Sequence, residues 1–180
     1  MVQLTGNNLI STAVFISGRG TNLKSLIEFS KKKNSPINIK LIISNTNKAK
    51  GLKYSKVYKI QKKVIDFKNK NIAEKKLLNL LSKKKIRFIC LAGFMKILSK
   101  KFIKKFSGKI VNIHPSLLPK YKGLNTHQKA LKNNDKYSGC TVHYVTKKVD
   151  SGKIILQKKV KIKRNDSLNT LTKKVLLEEH

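Results

Sequence analysis

Four short apolar runs, Ile10 to Ser17, Ile37 to Ser44, Ile86 to Leu91 and Ile110 to His114, are separated by segments whose apolar residues recur at helical spacing. The runs are rich in Ile, Val and Phe, the composition of strands buried on both faces. Between them, Leu23 to Phe29 and residues 71–84 read as helices, the second with Ile72, Leu77, Leu80 and Leu81 on one face and lysines opposite. A further helix is expected near Lys100–Phe106, a short one over residues 48–56, and a short strand around Val57–Ile60. Strands alternating with helices restrict the chain to an α/β architecture, an open, mostly parallel, Rossmann-like sheet flanked by helices.

The pattern changes after Pro119. Tyr121-Lys122-Gly123 reads as a loop, Thr126–Asn133 as a short helix and Thr141 to Val145 as an alternating strand. Asp150-Ser151-Gly152 makes a turn before a strand over Ile154–Ile162, so Gly139–Ile162 is expected to form a C-terminal β-hairpin. Asp166-Ser167 then caps a last helix that runs through Glu179. Residues 1–9 are polar and expected to fray. No repeat or linker divides the chain, and its 180 residues suit one domain, 1–180.

The formal charge is +34, a value that ordinarily points to nucleic acid. The kind of base argues otherwise. Only Arg19, Arg87 and Arg164 are arginines, the side chain that base reading and bidentate phosphate contacts favour. Tyr54, Tyr58 and Phe67 are the best aromatic candidates for base stacking, and they are few. The lysines are spread along the chain together with Asn and Ile, a pattern of compositional drift. The field they create still attracts anionic substrates. No apolar run approaches the roughly 20 residues of a membrane span, and there is no secretory signal pattern. The only cysteines are Cys90 and Cys140, which fits reduced thiols and a cytoplasmic location.

In open parallel sheets ligands collect at the carboxyl ends of strands, and three unusual stretches fall there. Ser17-Gly18-Arg19-Gly20-Thr21-Asn22 links a strand to a helix start, a geometry that offers backbone N–H groups to a phosphate, or simply makes a tight turn. It lacks the ending of a Walker A loop. Ala92 to Leu98 supplies small residues and then an apolar surface, read alone as core. The third stretch, Asn112 to Pro119, starts inside a strand, so Asn112 and His114 share a face, and Pro115 stops the strand. Read alone, the pair is either a polar strand end or a small active site.

Acid–base candidates are few, four histidines and eight carboxylates. His143, within a strand, reads as structural, and His127, at a helix start, as a surface group. Asp150 stands alone in a lysine-rich loop. If it reaches His114, it favours the imidazolium and orients the ring. Asn112, His114 and Asp150 together resemble equipment for acyl transfer: an oxyanion donor, an acid, and a carboxylate that keeps the acid protonated. No serine or cysteine nucleophile adjoins them, which suggests direct transfer to a bound amine. No cluster has metal-ligand spacing, so no metal is expected.

Asn112-Ile113-His114-Pro115-Ser116-Leu117-Leu118-Pro119, with Lys120-Tyr121 and Gly123, closely resembles the signature of the phosphoribosylglycinamide formyltransferases. The likeness continues in Ile16 to Asn22, Leu91 to Leu98, Thr126-His127, and Val142 to Val145 with Asp150-Ser151-Gly152. Asn112-Ile113-His114 alone would be shared with methionyl-tRNA formyltransferase and formyltetrahydrofolate deformylase. The resemblance implies the formyltransferase fold and transfer of a formyl group from the co-substrate 10-formyltetrahydrofolate to the amine of the glycinamide ribonucleotide, in purine synthesis. It implies that Gly20, Thr21 and Asn22 hold the ribonucleotide phosphate end and that Glu179 also contacts that substrate. Met95, Lys96, Ile97 and Leu98 would line the folate site, where Asn112 touches the formyl group. His114 would donate the proton and Asp150 keep His114 protonated. Lys70 falls at the spacing of a basic folate contact, where the family has arginine.

Two departures accompany the likeness. Lys122 stands where the family usually has proline, and the chain stops at His180 where relatives continue through further helix and strand. The expectation is a single formyltransferase domain shortened at its C-terminus, acting on small molecules as a monomer or weak homodimer, with no specific nucleic acid and no membrane partner. Hydrolysis of 10-formyltetrahydrofolate, and a non-catalytic basic nucleic-acid-binding protein, are the rival readings.

Overall fold

The computed structural model describes residues 9–180, so the expectation for residues 1–9 lies, but for Leu9, outside the described residues. Among the described residues, seven strands form one sheet in the order β3-β2-β1-β4-β5-β6-β7. They are β1 (Ile10–Ile16), β2 (Ile37–Ser44), β3 (Gln61–Val64), β4 (Phe88–Leu91), β5 (Lys109–His114), β6 (Tyr137–Tyr144) and β7 (Ile154–Lys161). The first five run parallel, and β6 and β7 add antiparallel at one side. Helices α1 (Thr21–Ser30), α2 (Lys53–Val57), α3 (Lys70–Lys83), α4 (Lys100–Lys105), α5 (Thr126–Lys132) and α6 (Leu168–Glu179) complete the architecture. The expected open α/β sheet with a C-terminal hairpin and helix is therefore present.

Strand alternation divides the core between the sheet faces. In β1, Ala13 and Phe15 join the cluster of Leu77, Leu81, Ile89 and Phe102, while Val14 and Ile16 join Leu23, Ile27 and Ile42 on the other face. A stretch buried on both sides needs an unbroken apolar run, which is why Ala13 to Ile16 of β1 and Leu41 to Ile43 of β2 are plain in the sequence. Each fully buried side chain of this kind contributes about 1.5–3 kcal/mol of transfer free energy.

Three details depart from the sequence reading. The strand expected around Val57–Ile60 lies four residues later, at Gln61–Val64, because α2 extends to Val57 and closes with the Ser55 carbonyl accepting from Ile60 N–H. On α3, Leu77 and Leu81 are buried and Leu80 partly so, as expected, but Ile72 is 53% exposed, and Ala73 and Glu74 complete the buried face. The strand expected at Thr141 begins earlier, at Tyr137, where exposed and small residues conceal it. The stacking aromatics of the nucleic-acid reading are also accounted for. Phe67 is buried against Phe94, and Tyr54 and Tyr58 pack partly buried on the core.

β7 is an edge strand with one buried residue, Val160. It exposes Ile154, Ile155 and Leu156 and carries Lys158, Lys159 and Lys161. Lysines on an edge oppose pairing with another sheet.

Candidate active site

The parallel strands β1, β4 and β5 end at the same side of the sheet, and a cavity of about 880 Å³ opens there. Its walls come from the segment after β4, the end of β5, the β6–β7 loop and the end of α6. The β1 and β4 ends are tied together. Ser17 N–H donates to the Gly93 carbonyl at 3.0 Å, and Met95 N–H donates to Ser17 Oγ at 2.8 Å. Further along, Glu74 on α3 accepts from the backbone and hydroxyl of Ser99, whose hydroxyl in turn caps α4. A buried carboxylate thus fixes the far end of the Met95–Leu98 wall.

At the turn after β1, Gly20 has a φ of 76° and faces Gly51 so closely that a Cβ would lie 2.6 Å from the Gly51 Cα. Only glycine fits that position. Among the described residues no side chain caps the first turn of α1, whose N–H groups can meet an anion at the positive helix end.

Asn112, His114 and Asp150 meet in the cavity. His114 Nδ1 is 3.3 Å from Asp150 Oδ2, and its Nε2 is 2.9 Å from the Tyr121 carbonyl. Both neighbours are acceptors, so the doubly protonated ring satisfies both. Asp150 also accepts from Gly123 N–H at 2.9 Å and lies 3.5 Å from Asn112 Nδ2. Its backbone φ is 45°, a left-handed conformation that aspartate adopts more readily than most non-glycine residues. The following Gly152 is required by contact, since a Cβ there would meet the Tyr144 carbonyl oxygen at 1.7 Å.

Burial acts on Asp150 to raise its pKa, but hydrogen bonding with the His143 ring and from Gly123 N–H, with the charge of His114, outweighs it. The net effect is a carboxyl held below its ordinary value, an ionised partner for His114. Glu179 shows the reverse. Burial raises its pKa against the opposing hydrogen bond from Asn22 Nδ2, 2.7 Å long, and the charges of His180 and His114. His127 is lowered by burial and then by the charge of His114. Burial pushes the Cys90 thiol up to about 12, the opposite of what a nucleophile needs.

Of the residues expected at the ribonucleotide end, Asn22 and Glu179 line the cavity and bond each other, while Gly20 and Thr21 stand behind them in the turn. Met95, Lys96, Ile97 and Leu98 all line it; Lys70, the exposed first residue of α3, does not. The sequence reading missed two histidines. His143 is buried, not as inert core but with Nε2 3.2 Å from Asn112 Nδ2 and 3.5 Å from Asp150 Oδ1. His127 lines the cavity and buries an Nδ1 without a partner among the described residues. The direct pairing of Asn112 with His143 across β5 and β6 is the signal that would have found the first.

Comparison with known proteins agrees with this geometry. The formyl transferase family model matches residues 10–180. Phosphoribosylglycinamide formyltransferase of Haemophilus influenzae is 42% identical over 171 residues, covering 93% of this chain and 81% of that protein. The Escherichia coli protein of that name is 36% identical over 95% of this chain and 82% of its own length. The human trifunctional purine biosynthetic protein adenosine-3 is 44% identical, but the chain spans 17% of it. Among solved structures, phosphoribosylglycinamide formyltransferase from Anaplasma phagocytophilum superposes with a TM-score of 0.88 at 38% identity, over 94% of this chain and 80% of that one. Glycinamide ribonucleotide transformylase 1 from Symbiobacterium toebii gives a TM-score of 0.92 at 33% identity, over 97% and 84%. With its open sheet, its cavity at the β1, β4 and β5 ends and these relatives, the chain belongs to the formyl transferase family, among the phosphoribosylglycinamide formyltransferases.

Proposed function

We propose that this chain transfers a formyl group from 10-formyltetrahydrofolate to the amine of phosphoribosylglycinamide. The observation that carries the reading is the juxtaposition of Asn112, His114 and Asp150 in one cavity, His114 Nδ1 being 3.3 Å from the carboxylate. The ribonucleotide phosphate meets the uncapped first turn of α1, and Asn22 and Glu179 face the sugar and glycinamide end. The folate lies along Met95, Ile97 and Leu98, with its formyl group at Asn112. The substrate amine attacks the formyl carbon, and the carbonyl oxygen gathers charge. Asn112 donates a hydrogen bond to that oxygen, and protonated His114, held by Asp150, stabilises it and supplies the proton that the leaving folate nitrogen takes, while the proton lost by the attacking amine restores the His114 ring. Donation from Nε2 requires the Tyr121 carbonyl, now 2.9 Å away, to yield its place to the substrate. The protein acts in the cytoplasm as a monomer or weak homodimer.

The test is release of tetrahydrofolate, followed by absorbance, with both substrates present. Transfer that needs the ribonucleotide and falls about a hundredfold or more in Asn112→Ala and His114→Ala supports the reading. Deformylation at the same rate without ribonucleotide would replace it with hydrolysis, and unimpaired variants would remove both residues from the mechanism.

A further inference from the structure

His143 is the cross-strand partner of Asn112 in the antiparallel β5–β6 pair, so the two side chains share a face of the sheet. Its side chain is 3% exposed, and both ring nitrogens have assigned neighbours. Nδ1 lies 2.9 Å from the Tyr144 carbonyl, which can only accept, so Nδ1 carries a hydrogen. In the neutral ring Nε2 is then a bare lone pair, and its nearer neighbour is the donor Asn112 Nδ2 at 3.2 Å, with Asp150 Oδ1 farther off at 3.5 Å.

An asparagine amide offers an oxygen and a nitrogen of nearly equal shape, and the partner decides which way it turns. A bare Nε2 accepts the amide nitrogen and repels the amide oxygen. One N–H of Asn112 is thereby taken by His143. The second is left toward Asp150 Oδ1, 3.5 Å away, at the limit of a hydrogen bond and easily given up to a better acceptor. We propose that His143 is a positioning residue that sets the polarity of the Asn112 amide, so that its second N–H is presented to the oxyanion of the formyl transfer. The inference rests on the proposed role of Asn112. With the amide reversed, its oxygen would confront the developing negative charge and turn stabilisation into repulsion.

The experiment combines kinetics of His143→Ala, His143→Gln, Asn112→Ala and the double variant with nitrogen NMR of the His143 ring in the wild-type protein. Expected are an unprotonated Nε2 at neutral pH and a kcat about a hundredfold lower in His143→Ala, with KM for both substrates within about twofold, the scale of one misdirected oxyanion donor. His143→Gln, whose Oε1 reaches the place of Nε2, regains tenfold or more. In the Asn112→Ala background, His143→Ala costs nothing further, because the residues act as one unit. A full additional loss in that background, a rise in KM without a fall in kcat, or a protonated Nε2 overturns the proposal. Absence of formyl transfer by the wild-type protein would refute the proposed function instead. The ring resonance still decides the amide orientation then, and also if His143→Ala does not fold.

Discussion

Asp150 meets His114 through one carboxylate oxygen, Oδ2 to Nδ1 at 3.3 Å, and the same oxygen accepts the Gly123 N–H at 2.9 Å. The carboxylate is thus anchored by backbone at one side while it orients an imidazole at the other. Asp150→Asn keeps the shape and tolerates the left-handed backbone, since asparagine is among the side chains that adopt it. It removes the negative charge facing the ring. The expected kcat is lower by about 10²–10⁴-fold with substrate KM values little changed, measured by the tetrahydrofolate assay. Stability carries a second signature. A carboxyl with a lowered folded pKa stabilises above its unfolded value of roughly 3.9, and that contribution is lost as pH falls through the lower folded value. The stability gap between wild type and variant should therefore be full above about pH 4 and close below it, as followed by chemical denaturation across pH.

Glu179 has the opposite linkage. Its folded pKa is raised by burial, so between the ordinary carboxyl value and the raised one the native state binds more protons than the unfolded chain. Stability then falls as pH climbs through that window. Glu179→Gln removes the buried charge while its carbonyl still accepts from Asn22. A higher melting temperature at pH 7 is expected, together with a ribonucleotide KM raised roughly tenfold, the scale of one charged hydrogen bond. Calorimetry and steady-state kinetics on one preparation check both; an unchanged KM would remove Glu179 from the substrate site.

Gly20 supports the turn after β1, the proposed phosphate site, by its absence of a side chain. In Gly20→Ala the Cβ meets the Gly51 backbone at 2.6 Å and the φ of 76° becomes strained. The two penalties together are expected to lower stability by about 1–3 kcal/mol, with a larger KM for the ribonucleotide than for the folate. Denaturant midpoints and the two KM values decide it.

The exposed rim of the cavity carries Lys96, Lys147 and Lys148, whereas the cavity's carboxylates, Asp150 and Glu179, are drawn inside and engaged by protein donors. Both proposed substrates are anions. Raising salt from about 20 to 200 mM shortens the Debye length from roughly 20 to 7 Å, and kcat/KM should fall severalfold. Replacing the three lysines by alanine should raise the folate KM about fivefold at low salt and leave a weaker salt dependence.

Legibility in the sequence followed burial. Strand β1 and the second half of β2, Leu41 to Ile43, declare themselves because residues on both faces are apolar, and the Ile110–His114 run because Ile110, Val111 and Ile113 are. Strand β3, with Gln61, Lys62 and Lys63 exposed, has the composition of a loop, and only its pairing with β2 makes it a strand. The site divides in the same way. Asn112 and His114 are two residues apart, and their shared face follows from the strand period alone. His143 is brought to Asn112 by a cross-strand register that local pattern does not encode, so a buried histidine in a strand looks like core. Lys70 shows the limit of spacing. Expected just before the helix over residues 71–84, it is the first residue of α3, with Asn69 as the cap, and is not among the residues that line the cavity.

The lysine-flanked edge of β7 has a practical consequence for handling the protein. Three consecutive exposed apolar residues, Ile154 to Leu156, border an unpaired row of backbone groups, and mutual repulsion between molecules is what keeps such edges apart. Concentrated salt, or a polyanion that neutralises several molecules at once, withdraws that repulsion. Precipitation with added salt, growing with protein concentration and fibrillar in its early stages, is the failure to anticipate in preparation and storage.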